Sequence, residues 1–171
     1  MTGRSTLRAA LAIAGLALLT ACATGERISA AGDVHTLLVA IRDDDKPAFD
    51  AHVDRRALEG QIQARIVERT ARSGEAVRGL GVVLSGALAH AAGGLLIQPE
   101  VFRAVADYYG YRPGMPIPGT FAIASTLRPL PDGRVCATRS HRGPCLVTFA
   151  NEQGVWRMVS FDGDAEMLRL R

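Results

Sequence analysis

The spacing of apolar residues changes once along this chain, near residue 120. Before that point, apolar residues recur three and four positions apart, as in Val34, Leu37, Leu38 and Ile41, which is the spacing of one helix face. After it, short apolar runs are separated by turn sequences such as Pro-Asp-Gly and Asn-Glu-Gln-Gly, which is typical of strands joined by tight turns. This order predicts an α+β fold, with N-terminal helices packed on one face of a C-terminal antiparallel β-meander.

Capping and turn residues set the expected boundaries of these elements. Asp33 is predicted to cap the first helix, and Asp45 the second, which has Pro47 in its first turn. Gly110 is predicted to stop the fourth helix before a loop rich in proline and glycine. Helices are expected over residues 34–43, 46–53, 55–72 and 99–109, and strands over residues 121–127, 134–138, 146–150, 156–161 and 166–170.

The N-terminus has the pattern of a secretory signal. Arg4 and Arg8 precede an uncharged stretch at residues 9–23, which is short for a membrane span of roughly 20 residues. Its end, Leu19-Thr20-Ala21-Cys22, resembles the bacterial lipobox. The resemblance implies cleavage before the cysteine, which then carries diacylglycerol and an N-acyl chain such as palmitate. An ordinary secreted protein cut nearby and an uncleaved anchor are the alternatives.

A lipidated Cys22 would define both the domains and the location of the protein. The expected domains are a lipoprotein signal peptide at residues 1–21, a lipidated tether at 22–32 and a single α+β domain at 33–171. Because two or three acyl chains hold a protein stably on a bilayer, the expected location is the bacterial cell envelope, facing the periplasm. Ala23 is not the aspartate that in enteric bacteria retains lipoproteins on the inner membrane, which favours the outer membrane.

The chain has three cysteines, so one is left over after pairing. With Cys22 as the lipid carrier, Cys136 and Cys145 remain as a pair in an oxidising compartment. They flank a short loop between two predicted strands, which suits a cross-strand disulfide that stabilises by about 2–3 kcal/mol through chain entropy. A redox-active pair usually has only two residues between its cysteines, so a structural disulfide is the favoured interpretation.

The loop between these cysteines carries Arg139, His141 and Arg142. A rigid basic hairpin tip is a candidate anion-binding loop for a phosphate headgroup or a peptidoglycan carboxylate, and a solvated tip is the favoured alternative. Ser140 and His141 do not make a nucleophile–base pair, because adjacent strand side chains point to opposite faces.

Charge and motifs point away from nucleic acid, metals and catalysis. Lys and Arg number 20 against 17 Asp and Glu, and two of the arginines precede Cys22, so the remainder is almost neutral and no nucleic-acid partner is expected. The run Asp43-Asp44-Asp45 lacks the other ligands of a calcium loop, and the histidines lack zinc-ligand spacing, so no metal or cofactor is predicted. Asp50 or Asp107 would be the base of an enzyme, which is the least favoured hypothesis.

Residues 79–99 form a stretch of the chain without a formal charge. Its length would suffice for a membrane span, but its glycines lower both its hydrophobicity and its helix stability. A buried core or pocket-lining segment is the favoured interpretation. A segment lying against the membrane or a partner comes next, and a span last.

Three stretches resemble a bacterial family of unknown function, DUF2939. "LLVAIRDDDKPAFDAHVDRRALEGQI" (37–62) looks like its opening, in which a helix leads into an acidic turn, a "VD" pair and another helix. "LIQPEVFRAV" (96–105) is similar to one of its helix starts, and "LVTFANEQGVWRMVSF" (146–161) to its closing hairpin. The resemblance covers most of residues 34–161 and implies no functional residues, since the family has no assigned activity; the cysteine pair is not part of its pattern. The architecture is also similar to the nuclear-transport-factor-two-like cone fold.

The leading functional hypothesis is therefore a non-enzymatic, lipid-anchored envelope protein that acts by contact with another envelope component. The alternative is a binding protein for an apolar or amphiphilic small molecule, held in a cavity between the sheet and residues 79–98.

Overall fold

The computed structural model describes residues 25–71, 90–108, 110–112, 114–138 and 143–162. Within them, the helices are α1 (25–43), α2 (Lys46–Ala51), α3 (Arg55–Ala71), α4 (90–96), α5 (Pro99–Tyr108) and α6 (Thr120–Thr126). The strands follow as β1 (Leu127–Pro129), β2 (Val135–Thr138), β3 (Cys145–Glu152) and β4 (Val155–Phe161). The predicted α+β class is confirmed. The predicted strand at 166–170 lies outside the described residues.

The four strands form one antiparallel meander in the order β1-β2-β3-β4, as the turn sequences predicted. The β3–β4 hairpin has a two-residue turn, in which Gln153 and Gly154 both have positive φ, at 55° and 90°. That pair of angles belongs to the turn type whose twist matches antiparallel strands, and glycine adopts it without steric cost. The sheet is open, and the cone fold stays a prediction.

The link between α2 and α3 pairs with the free edge of β4. The Met158 N–H donates to the His52 carbonyl at 2.9 Å, and the Asp54 N–H donates to the Met158 carbonyl at 3.0 Å, so that Val53 bridges to the strand in parallel. The Asp54 carboxylate then accepts the Ala57 N–H at 3.0 Å and caps α3. The "VD" pair of the sequence therefore joins two helices to the sheet.

The core lies between the helices and one face of the sheet. Its members are buried apolar side chains from α1, from the α2–α3 region, from the link between α4 and α5, from α6 and from every strand: Ala30, Ala31, Val34, Leu37, Ala40, Phe49, Val53, Leu58, Ile97, Ile123, Ala124, Leu127, Val135, Phe149, Trp156 and Met158. Phe102 of α5 extends this layer, because its ring lies 5.5 Å from that of Phe49 and 5.9 Å from that of Phe161. These tilted and edge-to-face ring contacts add to the burial of apolar area.

The second helix follows the sequence prediction closely. Asp45 is its N-cap and accepts the Ala48 N–H at 3.0 Å, and Pro47 lies in the first turn. Phe49 is fully buried. The predictions for α3 and α5 are also confirmed, and Gly110, which has a φ of 93°, follows the end of α5 as expected.

The predicted N-cap at Asp33 was wrong, because the first helix begins further upstream. Residues 25–32 are already helical, because Ala30 and Ala31 pack into the core with no exposed surface and extend the apolar face of α1 upstream. Asp33 lies inside the helix, where its carboxylate accepts the backbone N–H of Trp156 at 2.8 Å. The Trp156 indole donates to Ser29 one turn away, at 3.1 Å, so α1 is held along β4.

The strand predicted at residues 121–127 is instead the short helix α6. It ends directly at β1, which begins at Leu127. The alternation in "FAIAST" fitted a strand, but the buried residues are Ile123, Ala124 and Leu127, which lie on one side of a helical turn, while Phe121 is 82% exposed. Helical spacing explains this burial pattern, since Phe121 and Ile123 would share a face in a strand.

Replacement of Asp33 with Ala should lower the free energy of unfolding by about 1–3 kcal/mol, because the partly buried Trp156 N–H loses its acceptor. Urea unfolding followed by the fluorescence of Trp156, the single tryptophan, measures this change. Asp50→Ala is the matched control: Asp50 makes an exposed ion pair with Arg55, and such pairs contribute about 0–1 kcal/mol. Equal effects of the two variants would contradict the role of Asp33.

The helical assignment of α6 predicts unequal costs for two apolar truncations. Ile123→Ala should cost about 2–4 kcal/mol, because Ile123 is buried in the core, whereas Phe121→Ala should change stability by less than about 0.5 kcal/mol. The same urea measurement decides the outcome. Similar large losses at both positions would support a strand rather than a helix.

Candidate functional site

The Cys136–Cys145 disulfide is confirmed. It joins β2 to β3 across the sheet, with a Cα–Cα distance of 5.5 Å, and so closes the hairpin between them. Cys136 is fully buried, whereas Cys145 keeps part of its surface exposed. We call the two cysteines and the strand ends that they join the disulfide clasp.

Arg128 lies over the disulfide clasp from β1. It is the register partner of Cys136, so the two side chains share one face of the sheet, opposite the face where Val135 enters the core. Its Nη2 lies 3.4 Å from Sγ of Cys145 and 3.7 Å from Sγ of Cys136. Arg128 could not be identified from the sequence alone, because its position beside the sulfur atoms depends on the pairing of β1 with β2.

The remaining predicted site residues lie outside the described residues. These are the lipidation residue Cys22 and the candidate anion-binding loop residues Arg139, His141 and Arg142. Their roles stay predictions.

The acidic run between α1 and α2 is a structural turn. The Arg42 guanidinium donates to both carboxylate oxygens of Asp43, at 2.7 and 2.8 Å, and Asp45 caps α2. Asp44 sits between them with a φ of 60°, in the left-handed region that Asp tolerates. Each aspartate thus has a local role that explains its position. In the described stretches, no group of three or more His, Cys, Asp or Glu side chains could hold a metal ion.

The two carboxylates considered as catalytic bases have different surroundings. Asp50 is exposed, and its Oδ1 accepts two hydrogen bonds from Arg55. Asp107 has a buried Oδ1 without a hydrogen-bond partner among the described residues, and the Arg112 guanidinium donates to its backbone carbonyl at 3.2 Å. A surface ion pair and a single half-buried carboxylate do not form a set of converging catalytic groups.

The uncharged segment is described only in its second half, at residues 90–99. There, α4 packs on α3 at Gly93, where an added Cβ would lie 2.6 Å from Cγ of Glu59. Ile97 enters the core, but Leu95 is 72% exposed. This half therefore has both a core face and an exposed apolar face. None of the helices in the described part of the chain is long and apolar enough to cross a membrane.

A known protein family matches more than half of the chain. The profile of a family described as "Protein of unknown function (DUF2939)" matches residues 16–105, slightly more than half of the sequence. The chain belongs to the DUF2939 family. No curated protein and no solved structure matches it.

Membership of DUF2939 brings no catalytic or binding assignment, because the family has no established function. The matched residues include α1, α2, α3, α4 and most of α5, together with the acidic turn and the "VD" pair. They end before β1, so Arg128 and the disulfide clasp lie outside the matched part of this DUF2939 protein.

Three carboxylates, those of the exposed Asp43 and Asp132 and of the partly buried Glu100, have lowered pKa values in the folded protein. The hydrogen bonds from Arg42 and Arg134 lower the pKa of Asp43 and Asp132, respectively, below its ordinary value. The pKa of Glu100 is lowered by a hydrogen bond from its own backbone N–H at the start of α5, and further by the charge of Lys46, 3.7 Å away.

These shifts predict that stability is lost on acidification. A carboxylate with a lowered folded-state pKa favours the folded state above its ordinary pKa, and this contribution disappears as the pH falls through the folded-state value. The urea midpoint should therefore fall as the pH drops from about 5 towards 3. The triple variant Asp43→Asn, Asp132→Asn, Glu100→Gln should have a flatter pH dependence in this range. An unchanged slope would rule out these three groups as its source.

Proposed function

We propose that this DUF2939 protein is a lipoprotein of the bacterial envelope, anchored through Cys22 and acting by contact with another envelope component rather than by catalysis. The observation that carries the proposal is the lipobox-like Leu19-Thr20-Ala21-Cys22, which ends a short apolar stretch after two arginines. The mature protein faces the periplasm, and Ala23 favours the outer membrane over the inner membrane.

The position of α1 supports an anchor close to the folded domain. Residue 25 is helical, three residues after Cys22, and three extended residues span at most about 11 Å. The start of α1 packs beside the β3–β4 turn through the contact between Ser29 and Trp156. A lipid on Cys22 would therefore hold this end of the domain within about one nanometre of the membrane surface.

The disulfide clasp lies at the other end of the sheet. β3 runs from Cys145 at the clasp to Glu152 at the β3–β4 turn, and eight strand residues extend about 24 Å. With the start of α1 at the membrane, the clasp would lie at the end of the sheet that is farther from the anchor. That end is then accessible to a partner in the periplasm.

Exposed apolar side chains supply candidate contact surfaces for such a partner. Phe121 of α6 is 82% exposed, and Met115 in the preceding loop is 46% exposed. The loop is held to α1 by a hydrogen bond between His35 Nδ1 and the Pro118 carbonyl, at 3.0 Å. A large apolar side chain presented on a fixed part of the surface is a typical anchor residue of a protein interface.

A second candidate function is the binding of an apolar or amphiphilic small molecule. The observation that favours it is the exposure of Leu95, at 72%, and Leu96, at 37%, in the uncharged segment. A fluorescent fatty acid should then bind to the purified protein and lose affinity in Leu95→Ser. The variant Phe121→Ser is the matched control, and equal affinity in both variants would remove this candidate.

The anchor is tested by replacing Cys22 with Ala. The wild-type protein should fractionate with the envelope and incorporate labelled palmitate, and Cys22→Ala should lose the label and at least about 90% of the membrane-bound fraction, because the acyl chains supply the binding energy. The control is the double variant Cys136→Ser, Cys145→Ser, which should keep both the label and the membrane location. Full membrane association of Cys22→Ala would overturn the proposal.

A further inference from the structure

The disulfide clasp has a cation beside both of its sulfur atoms. In the described part of the chain, the hydrogen bonds of the Arg128 side chain go to Sγ of Cys145 and Sγ of Cys136, and Arg128 forms no ion pair there with a carboxylate. A neutral disulfide gives a guanidinium little electrostatic stabilisation, since sulfur is a weak acceptor. A thiolate at the same position would be an anion 3.4–3.7 Å from that charge.

The two sulfur atoms differ in access. Cys136 is fully buried, and Cys145, at the start of β3, keeps part of its surface exposed. Thiol–disulfide exchange requires one sulfur that can be attacked and another that can leave as a thiolate. Cys145 is the more accessible of the two residues, and Arg128 lies within 3.7 Å of both sulfur atoms, so a thiolate that leaves on Cys136 has a cation beside it.

We propose that the Cys136–Cys145 disulfide is an exchangeable bond, attacked at Cys145 by a small-molecule thiol and activated by Arg128 as the positioning cation for the leaving thiolate. The inference does not depend on the lipid anchor. A small-molecule thiol needs less open surface around the attacked cysteine than a protein dithiol does, and Cys145 is only partly exposed.

The exchange proceeds in two balanced steps. A thiolate RS⁻ attacks Sγ of Cys145, the bond between the two cysteine sulfurs breaks, and its electron pair leaves on Sγ of Cys136 beside Arg128. A second RS⁻ then attacks the sulfur of the bound thiol, forms RSSR and releases the Cys145 thiolate. The protein gains two electrons from two thiolates and takes up two protons if both cysteines become thiols. The reverse reaction with RSSR closes the clasp again.

The proposed role of Arg128 and a mere packing role predict opposite changes in the rate of disulfide reduction when Arg128 is replaced. If Arg128 stabilises the leaving thiolate, Arg128→Gln should slow the reduction of the full-length protein by glutathione about three- to tenfold, because a charge a few ångströms from the thiolate is lost. If Arg128 only covers the disulfide, its removal should expose the clasp and accelerate reduction. The rate is measured by acid quenching, alkylation and mass spectrometry of the intact chain.

Two further variants complete the test. Arg128→Lys keeps the charge and should retain most of the rate, and it provides the comparison if Arg128→Gln loses the native circular dichroism spectrum. Arg134→Gln, on the turn between β1 and β2, removes an arginine paired with Asp132 and should react at the wild-type rate. An unchanged or faster rate in Arg128→Gln, or a slowing of equal size in Arg134→Gln, would overturn the proposal.

The attacked sulfur is identified by mapping the mixed disulfide. Trapped glutathione should be found on Cys145, and glutathione on Cys136 would contradict the assignment. A thioredoxin-type dithiol protein is the second reductant in the same assay. If it reduces the clasp and glutathione does not, the small-thiol proposal is wrong.

Discussion

The backbone pairing of Met158 with the link between α2 and α3 is the interaction on which the rest of the structure depends. Its backbone donates to His52 and accepts from Asp54, so two helices are fixed to the edge of β4 by main-chain hydrogen bonds. Val53 enters the core at the same point, and the Asp54 carboxylate starts α3. Because an unpaired sheet edge exposes backbone groups, this link both protects the edge and positions the helical layer.

Predictions from local sequence were correct for residues that act within their own turn of the chain. Asp45 caps the helix that it precedes, and Gly154 supplies a positive φ where the hairpin needs it, so both features are visible in short windows. The N-cap predicted at Asp33 was wrong because the partner of Asp33 is Trp156, 123 residues away. No local pattern distinguishes a capping aspartate from one that accepts a tertiary hydrogen bond. The strand predicted from Phe121 onwards was wrong because, over seven residues, an alternating run fits a strand and a helix with one buried side equally well.

The candidate site also contains one feature that depends on local sequence and one that depends on tertiary structure. The pairing of Cys136 with Cys145 could be predicted from cysteine count and spacing, since both lie on one hairpin. The presence of Arg128 could not, because it requires both the existence of β1 and its register against β2. The sequence prediction ended the strand at residue 127, and this left Arg128 in a loop with no defined neighbour.

The two ends of the sheet impose different constraints on the protein. The β3–β4 turn is held to α1 by Trp156, which contacts Ser29 and Asp33, so this end is fixed by side chains distant in sequence. The opposite end is closed by a covalent bond between the neighbouring strands β2 and β3. Opening that bond would remove a covalent link between β2 and β3, whereas the hydrogen bonds at Met158 are made by other residues. Under the exchange that we propose, reduction of the clasp would act on this end of the sheet and leave the contacts of Met158 in place.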